Sequence, residues 1–236
     1  MRHALLAVLM LGAAGPVLCQ GMNTDAEAQA LLARFRAMAV AGTALADDFN
    51  APRERRVTGP ITLDPGREGQ GDAAVYPETR DNAIHVYYGV VLPRRGHLAL
   101  DFLLPPKRPT DHNFMTLVSA GTPGNTKFML RITGELRPFV SILTRRENIQ
   151  LTGDPLALDQ WHHLDWWYAP EGSVLTVDDV IHDYSTDFCV PYAVEVGEAF
   201  WLGDQPWWDA GGRKGVFYPL DSFVGSLDNL RLEGLK

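Results

Sequence analysis

Gln160-Trp161-His162-His163-Leu164-Asp165-Trp166-Trp167-Tyr168 and, shortly after it, Ser173-Val174-Leu175-Thr176-Val177-Asp178-Asp179 decide the fold. Both runs are short and rich in aromatic and β-branched residues, which predicts two β-strands. Phe200-Trp201-Leu202-Gly203 predicts another, and Ser222 to Leu232 a last, longer one. In that last run Phe223, Gly225 and Leu227 keep one alternation phase while Leu230 and Leu232 keep the other. A change of phase within a strand needs an extra residue, so a bulge is expected near Asp228 and Asn229.

Upstream the same texture continues. Strand-like runs cover Ala83 to Val91, His97 to Leu104, Phe114 to Ala120, Lys127 to Thr133 and Arg137 to Thr144, separated by Gly, Pro, Asn and Asp. Phe114, Thr116 and Val118 share one face of their strand, and Phe128, Leu130 and Ile132 share one face of theirs. Short strands at regular intervals without helical runs between them predict an all-β protein, an antiparallel β-sandwich or jelly roll.

The order of these runs resembles the C-terminal half of laminin-G-like domains of the concanavalin A-like lectin and glucanase superfamily. The points of resemblance are Trp161 with His163 opening one strand, a strand ending at Asp178, a short strand ending at Gly203, and Gly225 then Asp228 then Leu230 and Leu232 in the last strand. Asp48-Phe49-Asn50 and the glycine-rich stretch from Gly66 to Ala74 resemble the opening of such domains. The resemblance implies a concanavalin A-like jelly roll over residues 47–236. It also implies a structural role for His163, and turn formation for Asp178. Many relatives bind structural calcium, which assigns Asp228 and Asp48 as candidate ligands through hard oxygen donors. The alternative at Asp228 is a cap on backbone amides.

Residues 1–20 have the layout of a secretory signal peptide: Arg2 and His3, an apolar run from Ala4 to Val17, then small or polar residues. That run is shorter than the roughly 20 residues a membrane span needs. Export, periplasmic or secreted, is therefore expected; acylation at Cys19 is the lesser alternative, since Leu18 occupies a position where lipoprotein signals carry a small residue. With that leader removed, Cys189 is the sole thiol. Residues 21–46 are expected to be a helical segment, capped by Thr24 or Asp25, with Ala28, Leu31, Leu32, Phe35 and Met38 on one face and an end near Gly42. The stripe serves either as a strut on the sandwich or as an oligomerisation face.

The 236 residues carry 21 basic and 29 acidic side chains, a formal charge of −8, with the basic ones scattered. Such a surface disfavours nucleic acid as a partner. All six tryptophans fall between Trp161 and Trp208. Trp207 and Trp208 sit in the polar, glycine-rich stretch Asp204 to Lys214, suited to a ligand-binding lip because an indole offers a flat apolar face to a sugar ring. Trp207, Trp208, Asp209, Trp201 and Arg131 are the candidate ligand-binding residues.

Glucanases of this superfamily place carboxylates at alternate positions on one strand. Here the nearest acidic pairs, Asp178-Asp179 and Glu195 with Glu198, have other spacings. His85, Tyr87 and Tyr88 with Arg131 form the only lyase-like set in view. Adjacent His162 and His163 point to opposite faces of a strand and do not make a metal pair. The reading is an exported, non-catalytic module that binds a polysaccharide or another extracellular ligand. A polysaccharide lyase or glycoside hydrolase on the same jelly roll is one alternative, and a protein-interaction or adhesion domain, with the Leu31 to Met38 stripe as contact, is another.

Overall fold

Alternation of buried and exposed side chains lets two sheets close over one apolar layer, and the chain does this with antiparallel pairings throughout its sheets. The computed structural model describes residues 21–50, 56–58, 61–78, 84–109, 114–122, 125–191, 199–204, 207–208, 214–216 and 222–236. Helix α1 (Gly21–Arg36) is followed by β1 (Val40–Asp47), β2 (Arg56–Thr58), β3 (Thr62–Pro65), β4 (Asp72–Tyr76), β5 (Ile84–Tyr88), β6 (Gly96–Leu103) and β7 (Phe114–Thr122). Then come β8 (Asn125–Thr133), β9 (Pro138–Leu143), β10 (Asn148–Thr152), β11 (Trp161–Ala169), β12 (Gly172–Val177), β13 (Val180–Ser185), β14 (Ala199–Leu202), β15 (Trp207–Trp208), β16 (Lys214–Val216) and β17 (Gly225–Leu235).

The first sheet runs β13-β12-β11-β6-β17-β4-β3, with β1 added along β17, and the second runs β10-β9-β8-β7-β14-β5-β2. Between them lie the inward faces of both sheets: Leu98, Leu100 and Phe102 of β6, Leu164, Trp166 and Tyr168 of β11, Phe128, Leu130 and Ile132 of β8, and Val140 and Ile142 of β9. Trp166 is fully buried, stacked at 4.5 Å on Tyr168 and 4.9 Å from Phe128, with its indole N–H donated to Ser173 Oγ. Cys189 is buried in the same layer, and burial pushes its thiol pKa up to about 12.

Each strand run expected from the sequence is a strand. The expected bulge is present in β17, where pairing with β6 shifts between Asp228 and Arg231 and Asn229 takes φ 50°. Asp178 and Asp179, at φ 51° and 63°, turn the chain from β12 into β13. Asp178 also accepts hydrogen bonds from the His163 N–H at 2.8 Å and pairs with the His162 ring at 2.7 Å, so it holds this hairpin to β11.

The helical segment expected over residues 21–46 is corrected in two respects. Within the described residues the helix covers Gly21–Arg36, so Thr24 and Asp25 lie inside it and do not cap it, and it ends ahead of Gly42. Residues Val40–Asp47 then form β1, paired with β17 from Val40↔Leu235 to Asp47↔Leu230. The three alanines and Leu45 of this run favour a helix, but Val40, Gly42, Thr43 and Asp47 do not, and its apolar residues lose the helical stripe after Met38. The edge of β17 then offers backbone hydrogen-bonding partners, which the run takes with register shifts at Val40/Gly42 and Thr43/Leu45. The stripe on α1 is used within the chain: Leu31, Leu32 and Phe35 are buried against Trp167, Ala169, Val174 and Leu235 on the outer side of the first sheet. The apolar face offered as a contact for other proteins is therefore already covered, and the helix is a strut. Among the described residues no helix is long and apolar enough to cross a membrane.

Candidate functional site

Because side chains alternate, the second sheet turns Leu130, Val140 and Ile142 inward and presents the intervening residues outward. Strand pairing aligns Phe139, Arg131 and Thr116 in one outward row, and Gln150, Ser141, Met129, Ser119 and Trp201 in the next. Phe114 and Phe139, both half-buried, stand 6.3 Å apart between centroids, and the Arg131 guanidinium lies 4.9 Å over the Phe114 ring. A groove of about 740 Å³ opens beside this aromatic pair, with Arg108, Glu135, Arg137, Gln150 and Thr152 among its polar borders. Apolar ring faces bordered by hydrogen-bonding groups match the two sides of a sugar: C–H faces pack on the rings and hydroxyls bond to the rim.

Of the residues singled out from the sequence, Arg131 and Trp201 share this outward face. Arg131 is only 5% exposed, so it supports Phe114 and offers a ligand little surface. Trp201 is half-buried beside Ile84, Val86 and Ala199. The backbone of Trp207–Trp208 pairs with Lys214–Val216 in a small ribbon; the indole side chains and Asp209 lie outside the described residues. Both ends of the stretch carrying them are anchored on β7: Ser119 Oγ donates to the Asp204 carbonyl at 3.1 Å, and Ser222 bridges to Thr116. Ser222 Oγ also donates to Asp204 Oδ2 at 2.7 Å, closing the base of the loop.

The candidate cation ligands meet at a different place, beside a cleft of about 510 Å³ lined by Asp48, Asn50, Arg67, Glu68, Gln70, Asp101 and Asn229. Asp228 is 2% exposed there and accepts the Arg67 N–H at 3.2 Å and the Asn229 N–H at 2.8 Å, the amide-capping role. Burial raises its pKa, and the charges of Asp101 and Asp48 raise it further. Asp228 Oδ2 and the Gln70 carbonyl converge on Gly66, where an added Cβ would come within 2.4 and 2.5 Å of them. These are two of the roughly six to eight oxygens that a calcium ion takes. Among the described residues no group of three or more His, Cys, Asp or Glu is set to hold a metal, so any such site depends on backbone and amide oxygens.

From this cleft a line of charged side chains, not anticipated from the sequence, crosses the outer face of the first sheet. Asp101 accepts Arg67 Nη1 at 2.7 Å and Asn229 Nδ2 at 2.8 Å, and meets His163 Nδ1 at 2.6 Å. Asp165 lies 3.4 Å from His163 Nε2 and 2.6 Å from His97 Nε2, and His97 stacks on Trp167 at 3.6 Å. Hydrogen bonds to Asp101 and then Asp165 raise the His163 pKa to about 10. Burial alone would raise both carboxyls, but the hydrogen bonds they receive outweigh it and hold them below their ordinary range. His163 thus serves the fold. His162 is turned the other way, against the Ala157 carbonyl and Phe102.

The lyase-like set is not assembled. His85 is 2% exposed and bonded to the Tyr76 hydroxyl, and Tyr87 is 4% exposed and donates to Asp47 Oδ2 at 2.9 Å, so both face the interior, opposite to Arg131. Tyr88 is exposed on its own. Asp178 and Asp179 are in the hairpin turn, while Glu195 and Glu198 lie outside the described residues.

The sequence matches no family model and no curated protein. Solved structures are similar to it. Domain 4 of AbnA, an extracellular arabinanase of Geobacillus stearothermophilus, aligns with a TM-score of 0.58 at 16% identity, covering 84% of this chain and 95% of that domain. A heptameric SAP-like pentraxin from Limulus polyphemus aligns at 0.50 with 16% identity over 67% and 73%. The binding domain of botulinum neurotoxin serotype D aligns at 0.52 with 10% identity over 77% of this chain and 43% of that one. At these identities the likeness is one of fold, and together with the two antiparallel sheets it shows that the chain is a jelly-roll β-sandwich.

Proposed function

We propose that the chain is a non-catalytic binding module that holds a glycan along the outer face of its second sheet, and that it works outside the cytoplasm. The observation that carries the reading is the half-exposed Phe114–Phe139 pair set into a polar-rimmed groove. The anchored Trp207–Trp208 ribbon adds two aromatic residues in a loop tied to the same face. Support from the comparisons is by name: the arabinanase domain is described in complex with arabinotriose, and a related neurotoxin DC binding domain, aligned at 0.53 and 7% identity, in complex with SialylT. Residues 1–20 support export.

Calcium, if bound, would be held by Asp228 and Asp48 with the Gln70 carbonyl, pinning the β3–β4 connection to the bulge of β17 and leaving the groove residues free.

The test is a glycan array followed by affinity electrophoresis on the retained polysaccharides, with product release followed in the same samples and with calcium or EDTA present. Saturable binding without chain shortening is expected. Phe139→Ala and Trp207→Ala/Trp208→Ala should each weaken it at least tenfold with little change in melting temperature. Released oligosaccharide would replace this reading with an enzyme, and silence on every glycan would redirect it to a protein ligand.

A further inference from the structure

Where the β5–β6 connection, the β9–β10 turn and the chain after β13 meet, a cleft of about 300 Å³ lies between Arg94 and Arg145. Its remaining lining is apolar: Leu92, Pro93, Phe188, Val190 and Pro191. The volume is at the small end of ligand pockets, room for a single ring and not a long chain.

The two arginines differ from their neighbours. Arg95, next in sequence, is held by Glu171 through two hydrogen bonds of 3.1 Å. Arg36 and Arg67 likewise bond to acidic partners. No ion pair engages Arg94 or Arg145 among the described residues, and both are exposed. Arg146 adds a third positive charge, its guanidinium 5.4 Å from the centroid of Phe188. The nearby acids, Glu147 and Asp187, do not line the cleft, and Asp187 accepts the Ser185 hydroxyl at 3.1 Å. In a chain of net charge −8, two guanidinium groups with no ion pair among the described residues, lining one small cleft, are a local concentration of positive charge.

We propose that this cleft is a subsite for a carboxylate-bearing sugar, a hexuronate unit of an acidic polysaccharide. Arginine presents parallel N–H donors that match a carboxylate in two-point contact, and two arginines lining one small cleft favour a carboxylate there. The half-buried Phe188 ring and the proline-rich walls take the C–H face of the sugar, which a bare inorganic anion would leave uncovered. A phosphate chain would want many cations and few apolar contacts, the reverse of this lining. The proposal rests on the glycan reading of the preceding section for the class of ligand, but it uses different residues.

The test is isothermal titration of the full chain with trigalacturonate, with its methyl ester and with a neutral glycan retained by the array. Trigalacturonate should bind at least tenfold more tightly than the ester and weaken as salt rises. Arg94→Gln/Arg145→Gln should remove that preference while leaving the neutral glycan unaffected; since both side chains are exposed, the variant should keep its melting temperature, and Arg94→Gln alone serves if it does not. Equal affinity for acid and ester, or acid binding indifferent to these substitutions, overturns the proposal. Loss confined to the acid ligand when Phe139 is intact, and loss confined to the neutral one in Phe139→Ala, would separate the two sites. Neutral binding that persists with no response to trigalacturonate sinks the subsite alone, whereas failure of every glycan sinks both readings.

Discussion

Replacing His163 with glutamine tests the charge line on the first sheet. The imidazole lies between Asp101, at 2.6 Å, and Asp165, at 3.4 Å, which raises its pKa from 6.5 to about 10. The folded-state value lies above the unfolded one, so the stabilisation is complete below about pH 6.5 and is lost as pH climbs toward 10. At about 1.4 kcal/mol per pH unit, that gap corresponds to about 5 kcal/mol. The side chain is 35% exposed, and solvent screening reduces the measurable part to about 2 kcal/mol. The depressed carboxyls of Asp101 and Asp165 describe the same contacts from the other side, adding an acid limb where those groups protonate and nothing further at neutral pH. Asp101 keeps Arg67 and Asn229 in the variant, so the sheet should still form. Urea unfolding between pH 6 and 10 is the assay. His163→Gln should be less stable by about 2 kcal/mol at pH 6 and converge on the wild type near pH 10. Two curves that stay parallel over this range would refute the reasoning, because tyrosine and lysine titrations common to both proteins cancel in the difference.

Phe35→Ala removes a fully buried ring stacked 6.2 Å from Trp167 and should cost about 3 kcal/mol at the contact between α1 and the first sheet. Limited proteolysis should then cut within α1 before the sandwich, whereas unchanged resistance would mean the helix is held by other contacts. Gly225→Ala should lower stability by about 2 kcal/mol in thermal melts. Gly225 sits at φ 135°, and a Cβ there would lie 2.1 Å from the Leu103 carbonyl, so an unaltered melt would mean that β17 enters the sheet differently.

Strands β5 to β9, β11, β12, β14 and β17 were readable because their apolar residues alternate and turn-forming residues separate them, whereas β10 and β13 were not expected; the change of phase at Asp228 located the bulge for the same reason. β1 was hidden because Val40-Ala41-Gly42-Thr43-Ala44-Leu45-Ala46 has no alternation of its own and becomes a strand only through the edge of β17. The candidate site was less readable still. Phe114 and Phe139 belong to strands separated by β8 and meet only after three strands pair. Asp101, Asp165 and His97 are single polar residues inside apolar runs, and nothing in a linear pattern tells which of them will face one another. Arg131 and Trp201 share an outward face, but how far each is covered depends on side-chain packing, which periodicity does not encode.

Strand β17 has two neighbours along one side: its first residues pair with β4, and Leu230 to Leu235 pair with β1. The backbone N–H of Lys236 also donates to the Ala39 carbonyl at 3.0 Å. The two ends of the described chain are thus zipped to each other, and the choice of expression boundary has a chemical cost. A version starting at Asp47, where the sequence texture turns visibly to β, would strip away this zipper and leave the second half of the longest strand with a row of unanswered amides and carbonyls. Such an open edge recruits strands from other molecules. Recombinant versions starting at Gly21 should remain dispersed, whereas the shorter ones, which also lose Leu45 and the α1 cover over Trp167, should gather into aggregates although the inward faces of both sheets are otherwise present.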